Sequence, residues 1–228
     1  MSNPSAEIKK MWKIFPVADD SVLEIRAIWP KGVEGKRGPI APHLRAGDYD
    51  NVEALKVAFE KKALELNGLG YNIYTTLNPI RADFERLGVG GAKDQDIRYR
   101  DLLLIDIDRV GDTSCPANQS ELDAAKALAD SIRQHLTQRE WPDPWVVMSG
   151  NGYHLYYPLR GMPNDDSAGA LIALTLKRLA SKFNNGLLGV DTTVYNASRI
   201  TKVPGTLMRK GEATQDRPYR IAEVCDEQ

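Results

Sequence analysis

The chain has 228 residues, of which 42% are hydrophobic and 27% are charged, as is typical of a soluble globular protein of one large domain or two small ones. The net charge of −1 argues against a uniformly basic nucleic-acid binder, and no apolar stretch approaches the roughly 18 residues of a membrane span. Two cysteines and three scattered histidines do not complete a zinc site and no signal peptide is evident, so we expect a cytoplasmic protein with free thiols, no zinc and no membrane association.

Residues 1–98 are predicted to form an N-terminal α/β unit. Apolar spacing and β-forming residues predict a helix near 6–12, a strand over 22–29, a helix over 51–66 and a strand over 71–77. A loop rich in glycine and proline separates the first strand from the longer helix. The charged segment 81–99 is predicted to be a connection.

Residues 99–228 are predicted to form a second, α+β unit. The expected elements are strands at 102–108, 145–148, 153–158 and 219–224, a helix at 120–136 capped by Ser120, and a helix from Asn164 or Asp165 to about Phe183. The order β-α-β-β-α-β is typical of a ferredoxin-like or RNA-recognition-like sheet. In such a sheet the first strand and the central hairpin are neighbours, so their functional residues can converge.

Two carboxylates end the most apolar run of the chain, Leu102–Asp108. Asp106 and Asp108 lie two residues apart, and a strand places such residues on the same face. Two like charges at the end of a buried strand are costly unless a positive group lies between them. A divalent cation such as Mg²⁺ or Mn²⁺ prefers oxygen ligands and meets this need. An Asp-x-Asp pair alone is more commonly a solvated turn, but the apolar strand favours the metal interpretation.

A second motif runs from Ser149 through Gly150, Asn151 and Gly152 to His154. Its glycines allow the backbone to approach a ligand closely, and the serine hydroxyl, backbone N–H groups and histidine are suited to phosphate oxygens. It is not a P-loop, because the Gly-Lys-Ser/Thr ending is missing. The alternative is a tight hairpin turn with a core histidine.

A third carboxylate, Asp191, precedes a basic segment. Residues 199–220 contain six basic and two acidic side chains, and cations flank the turn Pro204-Gly205-Thr206 on both sides. Such cations are suited to a triphosphate, although lysine is also common on ordinary surfaces. Three carboxylates for two metals, a phosphate-binding turn and cations together predict two-metal nucleotidyl transfer. The candidate nucleotide ligands in the basic segment are Arg199, Lys202, Thr206 and Lys210.

In order and spacing these motifs resemble the three motifs of archaeo-eukaryotic primases, and most closely the primase-polymerases of bacterial mobile elements, phages and plasmids. The resemblance rests on Asp-Ile-Asp at 106–108, Ser-Gly-Asn-Gly-Tyr-His at 149–154, and Asp191 followed by Asn-Ala-Ser-Arg-Ile and Gly-Thr. It extends to residues 23–26, 72–79 and 209–220, and so covers most of the chain. The chain departs from the pattern at Pro204, Met208 and Tyr219, where relatives often carry tyrosine, asparagine and histidine.

The resemblance implies a primase catalytic core that polymerises nucleotides on a template and can synthesise or extend a primer. Asp106, Asp108 and Asp191 would hold two Mg²⁺ or Mn²⁺ ions, while Ser149 and His154 would contact the incoming NTP or dNTP. The implied partners are a single-stranded DNA template, a primer and a helicase in cis or in trans. Residues 1–98 would face template or primer, and the candidate DNA contacts are Arg26, Lys36, Arg37, Asn78, Arg209 and Arg217. For Lys36 and Arg37 a solvated loop is an equally good interpretation.

Two other functions are weighed against this one. A non-catalytic replication-initiation module would bind plasmid or phage origin DNA through the same sheet, but clustered acids that face DNA phosphates disfavour it. A different Asp-x-Asp transferase, such as a sugar transferase, finds little support in the Gly-Thr and Arg-Lys-Gly segments.

Overall fold

The structure is a computed structural model that describes residues 3–85 and 90–225. In these residues the helices are α1 (Pro4–Met11), α2 (Val52–Gly68), α3 (Gln119–Thr137) and α4 (Asp166–Phe183). The strands are β1 (Val22–Glu24), β2 (Arg26–Ile28), β3 (His43–Arg45), β4 (Asn72–Thr76), β5 (Arg100–Arg109), β6 (Trp145–Met148), β7 (Tyr153–Met162), β8 (Leu188–Val190), β9 (Ile200–Lys202), β10 (Leu207–Met208), β11 (Arg220–Ile221) and β12 (Glu223–Val224). Part of the predicted connection 81–99 lies outside the described residues.

Side-chain caps set the beginnings of the long helices. Helix α3 begins one residue earlier than expected, and its cap is Asn118 rather than Ser120. The Asn118 side chain accepts from Glu121 N at 2.9 Å, and the Glu121 carboxylate accepts from Asn118 N at 2.8 Å. This reciprocal capping box satisfies two N–H groups that a cap at Ser120 would leave open.

A five-stranded antiparallel sheet has the order β12-β6-β7-β5-β8. The predicted chain order β-α-β-β-α-β is present from β5 to β8, but the strand that closes it is Leu188–Val190 and not 219–224. The segment 219–224 is divided instead: β11 pairs with β10, and β12 pairs with β6. Ala222 between them donates its N–H to Thr206 O and so separates the two pairings.

A second sheet, with the order β2-β4-β9, brings the two halves of the chain together. The single strand predicted over 22–29 is two strands, since Ile25 N donates to Pro42 O while β1 pairs with β3 and β2 pairs with β4. Strand β9, from the C-terminal half, pairs with β4 so that Lys202 lies opposite Tyr74. Lys202, from the C-terminal half, is therefore fixed on a sheet that β2 and β4 also build.

Strand β5 divides its residues between a core and a cleft. Leu103, Ile105 and Ile107 are at most 2% exposed and belong to the main hydrophobic core, to which α3 and α4 also contribute. Burial of each such side chain contributes about 1.5–3 kcal/mol, which fixes the register of the strand. Leu104, Asp106 and Asp108 consequently point to the opposite face. No helix in the described part of the chain is both long enough and apolar enough to cross a membrane.

Gly152 lets the turn between β6 and β7 lie directly against β5. A Cβ atom at this position would lie 2.1 Å from Ile107 O and 2.6 Å from Asp108 Oδ1. Both atoms belong to a central strand that cannot shift without disturbing the core. The glycine is therefore required by close approach between strands.

We expect Gly152→Ala to lower the free energy of unfolding by about 1–3 kcal/mol, because the added methyl group overpacks the contact with β5. Urea denaturation measures this change. Gly186→Ala is the matched control, since a Cβ there meets no atom within 4 Å. Equal stability of the two variants would contradict the close approach.

Candidate active site

A polar cleft of about 280 Å³ lies where the two sheets meet. Strands β5 and β7 form one side of it, and β4 and β9 form the other. The cleft brings together eight of the residues predicted from the sequence, namely Asp106, Asp108, Ser149, Asn151, His154, Arg199, Lys202 and Lys210.

Asp106 carries a buried oxygen that no hydrogen bond satisfies. Strand pairing places Asp106 directly opposite His154, and His154 Nε2 lies 3.4 Å from Asp106 Oδ1. This is ion-pair distance, but Asp106 Oδ1 accepts no hydrogen bond from the described residues. Buried carboxylate oxygens are normally paired, so the arrangement leaves a coordination position for a cation.

The second carboxylate, Asp108, is held in an environment that disfavours its charge. Burial raises the pKa of Asp108, and the neighbouring charges of Asp106 and Asp191 raise it further. His154 and Lys210 oppose this effect, and the resulting pKa is about 6. A cation beside the two carboxylates would restore the charged form of Asp108.

Hydrogen bonds fix the ring of His154. Its Nδ1 lies 2.9 Å from the Tyr156 hydroxyl and 3.3 Å from Thr201 Oγ1, so Nε2 faces Asp106. Burial lowers the pKa of His154, but the charge of Asp106, its contact with Nε2 and the charge of Asp108 outweigh burial and raise it. The charged ring is thereby favoured beside the carboxylates.

Asp191 lies next to the pair through its main chain. Its N–H donates to Asp106 O at 2.9 Å, and its Oδ1 accepts from Thr193 N and Thr193 Oγ1, both at 2.7 Å. Within residues 3–85 and 90–225, no group of three or more acidic, histidine or cysteine side chains is arranged to hold a metal ion. The fit to a divalent ion therefore rests on Asp106 and Asp108, with Asp191 adjacent.

The turn after β6 contributes side chains to the cleft, while its glycines contribute packing. Ser149 and Asn151 line the cleft, and Asn151 Oδ1 also accepts from Ala117 N at 2.8 Å. Gly150 has a φ of +106°, and a Cβ there would lie 2.5 Å from the Met208 side chain. Like Gly152, it is thus accounted for by close packing.

The cations on the opposite wall differ in burial and in hydrogen bonding. Lys202 is 2% exposed and donates to Thr206 Oγ1 at 2.7 Å, and burial lowers its pKa well below the usual value. Thr206 is fully buried, donates to Val203 O at 2.6 Å, and lies behind Lys202 rather than at the cleft wall. Burial lowers the pKa of Lys210, while the charge of Asp108 raises it.

Arg199 is anchored by a hydrogen bond at one end of its guanidinium group. Its Nη2 donates to Thr193 O at 2.7 Å, whereas its buried Nε has no hydrogen-bond partner among the described residues. The Thr193 carbonyl belongs to the same loop as Asp191, so this contact couples the arginine to the third carboxylate.

Three of the candidate DNA contacts make hydrogen bonds to other groups of the protein. Asn78 is 2% exposed, donates to Ala197 O and accepts from the N–H groups of Asp101 and Leu102. Arg217 makes two hydrogen bonds to Glu121, at 2.7 and 3.0 Å. Arg26 is held by two hydrogen bonds to buried Glu24, at 3.0 and 2.7 Å.

The other three candidates remain accessible to different degrees. Arg209 is half-buried, with Nη1 3.5 Å from Tyr71 O, and burial lowers its pKa. Lys36 and Arg37 are exposed and line a separate groove beside the cleft.

Sequence reasoning missed several residues that shape the cleft. Tyr74, Thr201 and Met208 line it, and Tyr156 orients His154 from beneath. The Tyr74 hydroxyl lies 3.7 Å from Met208 Sδ. Strand alternation could have indicated Tyr74, but the pairing of β4 with β9 that brings it to the cleft joins segments over a hundred residues apart.

No family model matches the sequence, and no curated protein matches it. Among solved structures, the archaeo-eukaryotic primase (AEP) domain of the primase-polymerase of cyanophage S-2L is 17% identical, with a TM-score of 0.55 over 97% of this chain and 89% of that one. The primase RepB′ is 16% identical, with a TM-score of 0.51 over 98% of this chain and 56% of that one. The chain therefore has a mixed α/β fold similar to that of archaeo-eukaryotic primase domains, which confirms this part of the expected fold class.

The raised pKa of Asp108 predicts a pH-dependent cost in stability. Because its pKa of about 6 exceeds that of an unfolded aspartate, the folded chain binds more protons between about pH 4 and 6 and loses stability as the pH rises through this window. We expect Asp108→Asn, which removes the cost, to raise the free energy of unfolding by about 1–2 kcal/mol at pH 8 and to bring little gain at pH 4.

Urea denaturation at the two pH values, without divalent ions, measures this difference. Asp19→Asn, at an exposed position outside the cleft, serves as the control and should show no gain at either pH. A gain for Asp108→Asn that is equal at both pH values would contradict the charge argument.

Proposed function

We propose that the chain is a DNA primase-polymerase that transfers nucleotides from NTP or dNTP to a 3′-hydroxyl, directed by a DNA template. The observation that carries this proposal is the cleft itself. Asp106 and Asp108 lie side by side on β5, and the buried Oδ1 of Asp106 accepts no hydrogen bond from the part of the chain that the structure describes. The two carboxylates face cations on β9 and the segment after it. Acids for metal ions and cations for phosphates are what nucleotidyl transfer requires.

Asp106 and Asp108, together with Asp191, would hold the Mg²⁺ or Mn²⁺ ions. When bound, two such ions would supply a lowered pKa of the attacking 3′-hydroxyl and stabilisation of the leaving pyrophosphate. His154 would keep its Nε2 proton directed at this region, because Tyr156 and Thr201 hold the other ring nitrogen. The unsatisfied oxygen of Asp106 and the raised pKa of Asp108 support this assignment.

The incoming triphosphate would lie between the carboxylates and the cations. Ser149 and Asn151 would contact it from the turn after β6, and Arg199, Lys202 and Lys210 from the opposite wall. Burial disfavours the charged forms of Lys202 and Lys210, so a nearby phosphate would favour both. Thr206 would act through Lys202, since its hydroxyl accepts a hydrogen bond from the lysine ammonium group.

The proposal includes the partners and the separate roles of the two units of the chain inferred from the motifs. Residues 1–98 would hold template or primer, and residues 99–228 would carry the metal and nucleotide sites. The solved proteins of similar fold are described as a primase-polymerase and a primase, which supports this class of activity. A role in the replication of a plasmid, phage or integrative element, with a helicase in cis or in trans, belongs to the same proposal.

Primer extension tests the proposed activity and its dependence on the carboxylates. We expect the wild-type chain to extend a primed template with Mg²⁺ or Mn²⁺, and Asp106→Asn and Asp108→Asn each to lower the rate at least about 100-fold. Extension products are resolved on a denaturing gel, with unprimed templates testing synthesis from the first nucleotide. Asp19→Asn should retain full activity.

Metal binding has a readout that does not depend on activity. Mn²⁺ should raise the unfolding temperature of the wild type and much less that of Asp106→Asn, because only a folded site binds the ion. Normal extension by either carboxylate variant would contradict the metal assignment. Failure of the wild type to extend any primer, with retained DNA binding, would favour a non-catalytic replication-initiation module.

His154→Gln tests the phosphate side of the cleft. We expect the apparent KM for the nucleotide to rise about tenfold or more, because a charge-assisted hydrogen bond worth about 1.5–3 kcal/mol is replaced by a neutral one. Steady-state extension with varied nucleotide concentration measures KM and kcat separately. His135→Gln, at a half-buried position near the C-terminal end of α3 and outside the cleft, is the control. An unchanged KM in His154→Gln would remove His154 from the nucleotide site.

A further inference from the structure

A groove of about 590 Å³ lies beside the cleft and is lined by cations and apolar side chains. The loop after β2 forms most of it, with Lys31, Lys36 and Arg37 at exposed positions and Trp29 as a half-buried wall. In the described part of the chain no acidic side chain lines the groove. An anionic ligand with some apolar surface fits this lining.

The groove is attached to the wall of the cleft. Gly211 N donates to Lys31 O at 2.8 Å, immediately after Lys210, which lines the cleft. A Cβ atom at Gly32 would lie 3.1 Å from Gly211 Cα, so the two segments are in close contact. The loop that lines the groove therefore directly contacts the segment that carries Lys210 to the cleft.

Arg37 is held in place by an aromatic ring. Its guanidinium carbon lies 5.0 Å from the ring centroid of Trp29, and Trp29 Nε1 donates to Val33 O and Glu34 O at 3.2 Å. Tyr71 packs edge-on against the same indole, with the ring centroids 5.3 Å apart. A guanidinium stacked in this way keeps its N–H donors directed outward at little entropic cost.

Arg26 has a different role at the back of the groove. Its guanidinium is bonded twice to Glu24, which is fully buried and also lies 2.8 Å from His43 Nε2. The charge of Arg26 is therefore offset inside the protein. The cations that remain for a ligand are Lys31, Lys36 and Arg37.

We propose that this groove binds the single-stranded part of the template and leads it to the cleft, an inference that rests on the proposed polymerase function. Apolar and stacked planar groups beside cations match the exposed bases and phosphates of a single strand. A duplex hides its bases and offers mainly phosphates, for which the apolar wall of Ile28, Trp29 and Pro30 would serve no purpose. Lys36 and Arg37 contact the phosphates, and the Arg37–Trp29 stack fixes the position of one of them.

Binding of a labelled oligothymidylate, measured by fluorescence anisotropy at several salt concentrations, tests the groove. We expect Lys36→Glu/Arg37→Glu to weaken binding at least about tenfold and to reduce the slope of log affinity against log salt by about 1.4, the value for two single-strand phosphates. Arg178→Glu/Lys182→Glu makes the same change of charge at exposed positions on α4 and should leave binding nearly unchanged.

Arg37→Lys separates the contribution of stacking to the affinity from the contribution of the charge. It keeps the positive charge but loses the planar group, so we expect affinity to fall about two- to fivefold. Equal affinity of Lys36→Glu/Arg37→Glu and the α4 control would overturn the proposal. An equal loss of affinity for a blunt duplex of the same length would also overturn it, since the groove would then not select single strands.

The binding assay contains neither nucleotide nor divalent metal, so its result does not depend on the proposed reaction. If the wild-type chain fails to extend primers and Lys36→Glu/Arg37→Glu weakens single-strand binding, the polymerase function is refuted and the groove is supported as a binding site. A chain that extends primers normally while the groove variant binds single strands normally would refute the groove alone.

Discussion

Asp106 and Asp108 carry like charges on one face of a central strand whose other face is packed into the core. The strand cannot rotate or slip to relieve their repulsion, because a shift of one residue would expose Leu103, Ile105 and Ile107. Neighbouring positive groups therefore offset the repulsion between the two carboxylates. His154 lies opposite Asp106 on β7, and Lys210 approaches Asp108 from the other wall.

The cations reach the carboxylates because two sheets share the C-terminal half of the chain. Strand β9 belongs to the three-stranded sheet and pairs with β4, where Lys202 lies opposite Tyr74 with its Nζ 5.7 Å from the ring centroid. The cleft is the space between the sheets, and the short loop from Asp191 to Arg199 spans it. Asp106 and Asp108 thus belong to one sheet and Lys202 to the other, a separation that leaves room for a ligand.

The four helices and strands β4 to β7 could be predicted from local pattern, whereas the short strands β3, β8, β9 and β10 were not predicted, and the differences have physical causes. Strand β8 was missed because Leu188-Gly189-Val190 is too short to show a period and contains glycine. The strand predicted over 22–29 was divided because an apolar run does not reveal that two different partners compete for its edge. Tertiary pairing, which local propensity does not contain, decided both cases.

The candidate site followed from sequence where chemistry and spacing coincided. The strand period placed Asp106 and Asp108 on one face, and the turn after β6 brought Ser149 and His154 to it. The role of Gly152 could not be foreseen, because it depends on atoms of β5, a segment distant in sequence. Glycine in a phosphate-binding turn and glycine under a neighbouring strand look the same in a sequence.

One carboxylate and two lysines of the cleft are held in environments that disfavour their charge. The pKa of Asp108 is raised, and the pKa values of Lys202 and Lys210 are lowered, in each case with burial as the largest cause. A structure optimised only for stability would replace such groups or pair them directly, since each costs free energy of folding. A ligand that combines divalent cations with a polyphosphate relieves both costs at once, because it places positive charge beside the acids and negative charge beside the lysines. The free energy that these charged groups cost on folding is recovered when such a ligand binds. Perturbed pKa values of opposite direction across one cleft therefore point to a functional site.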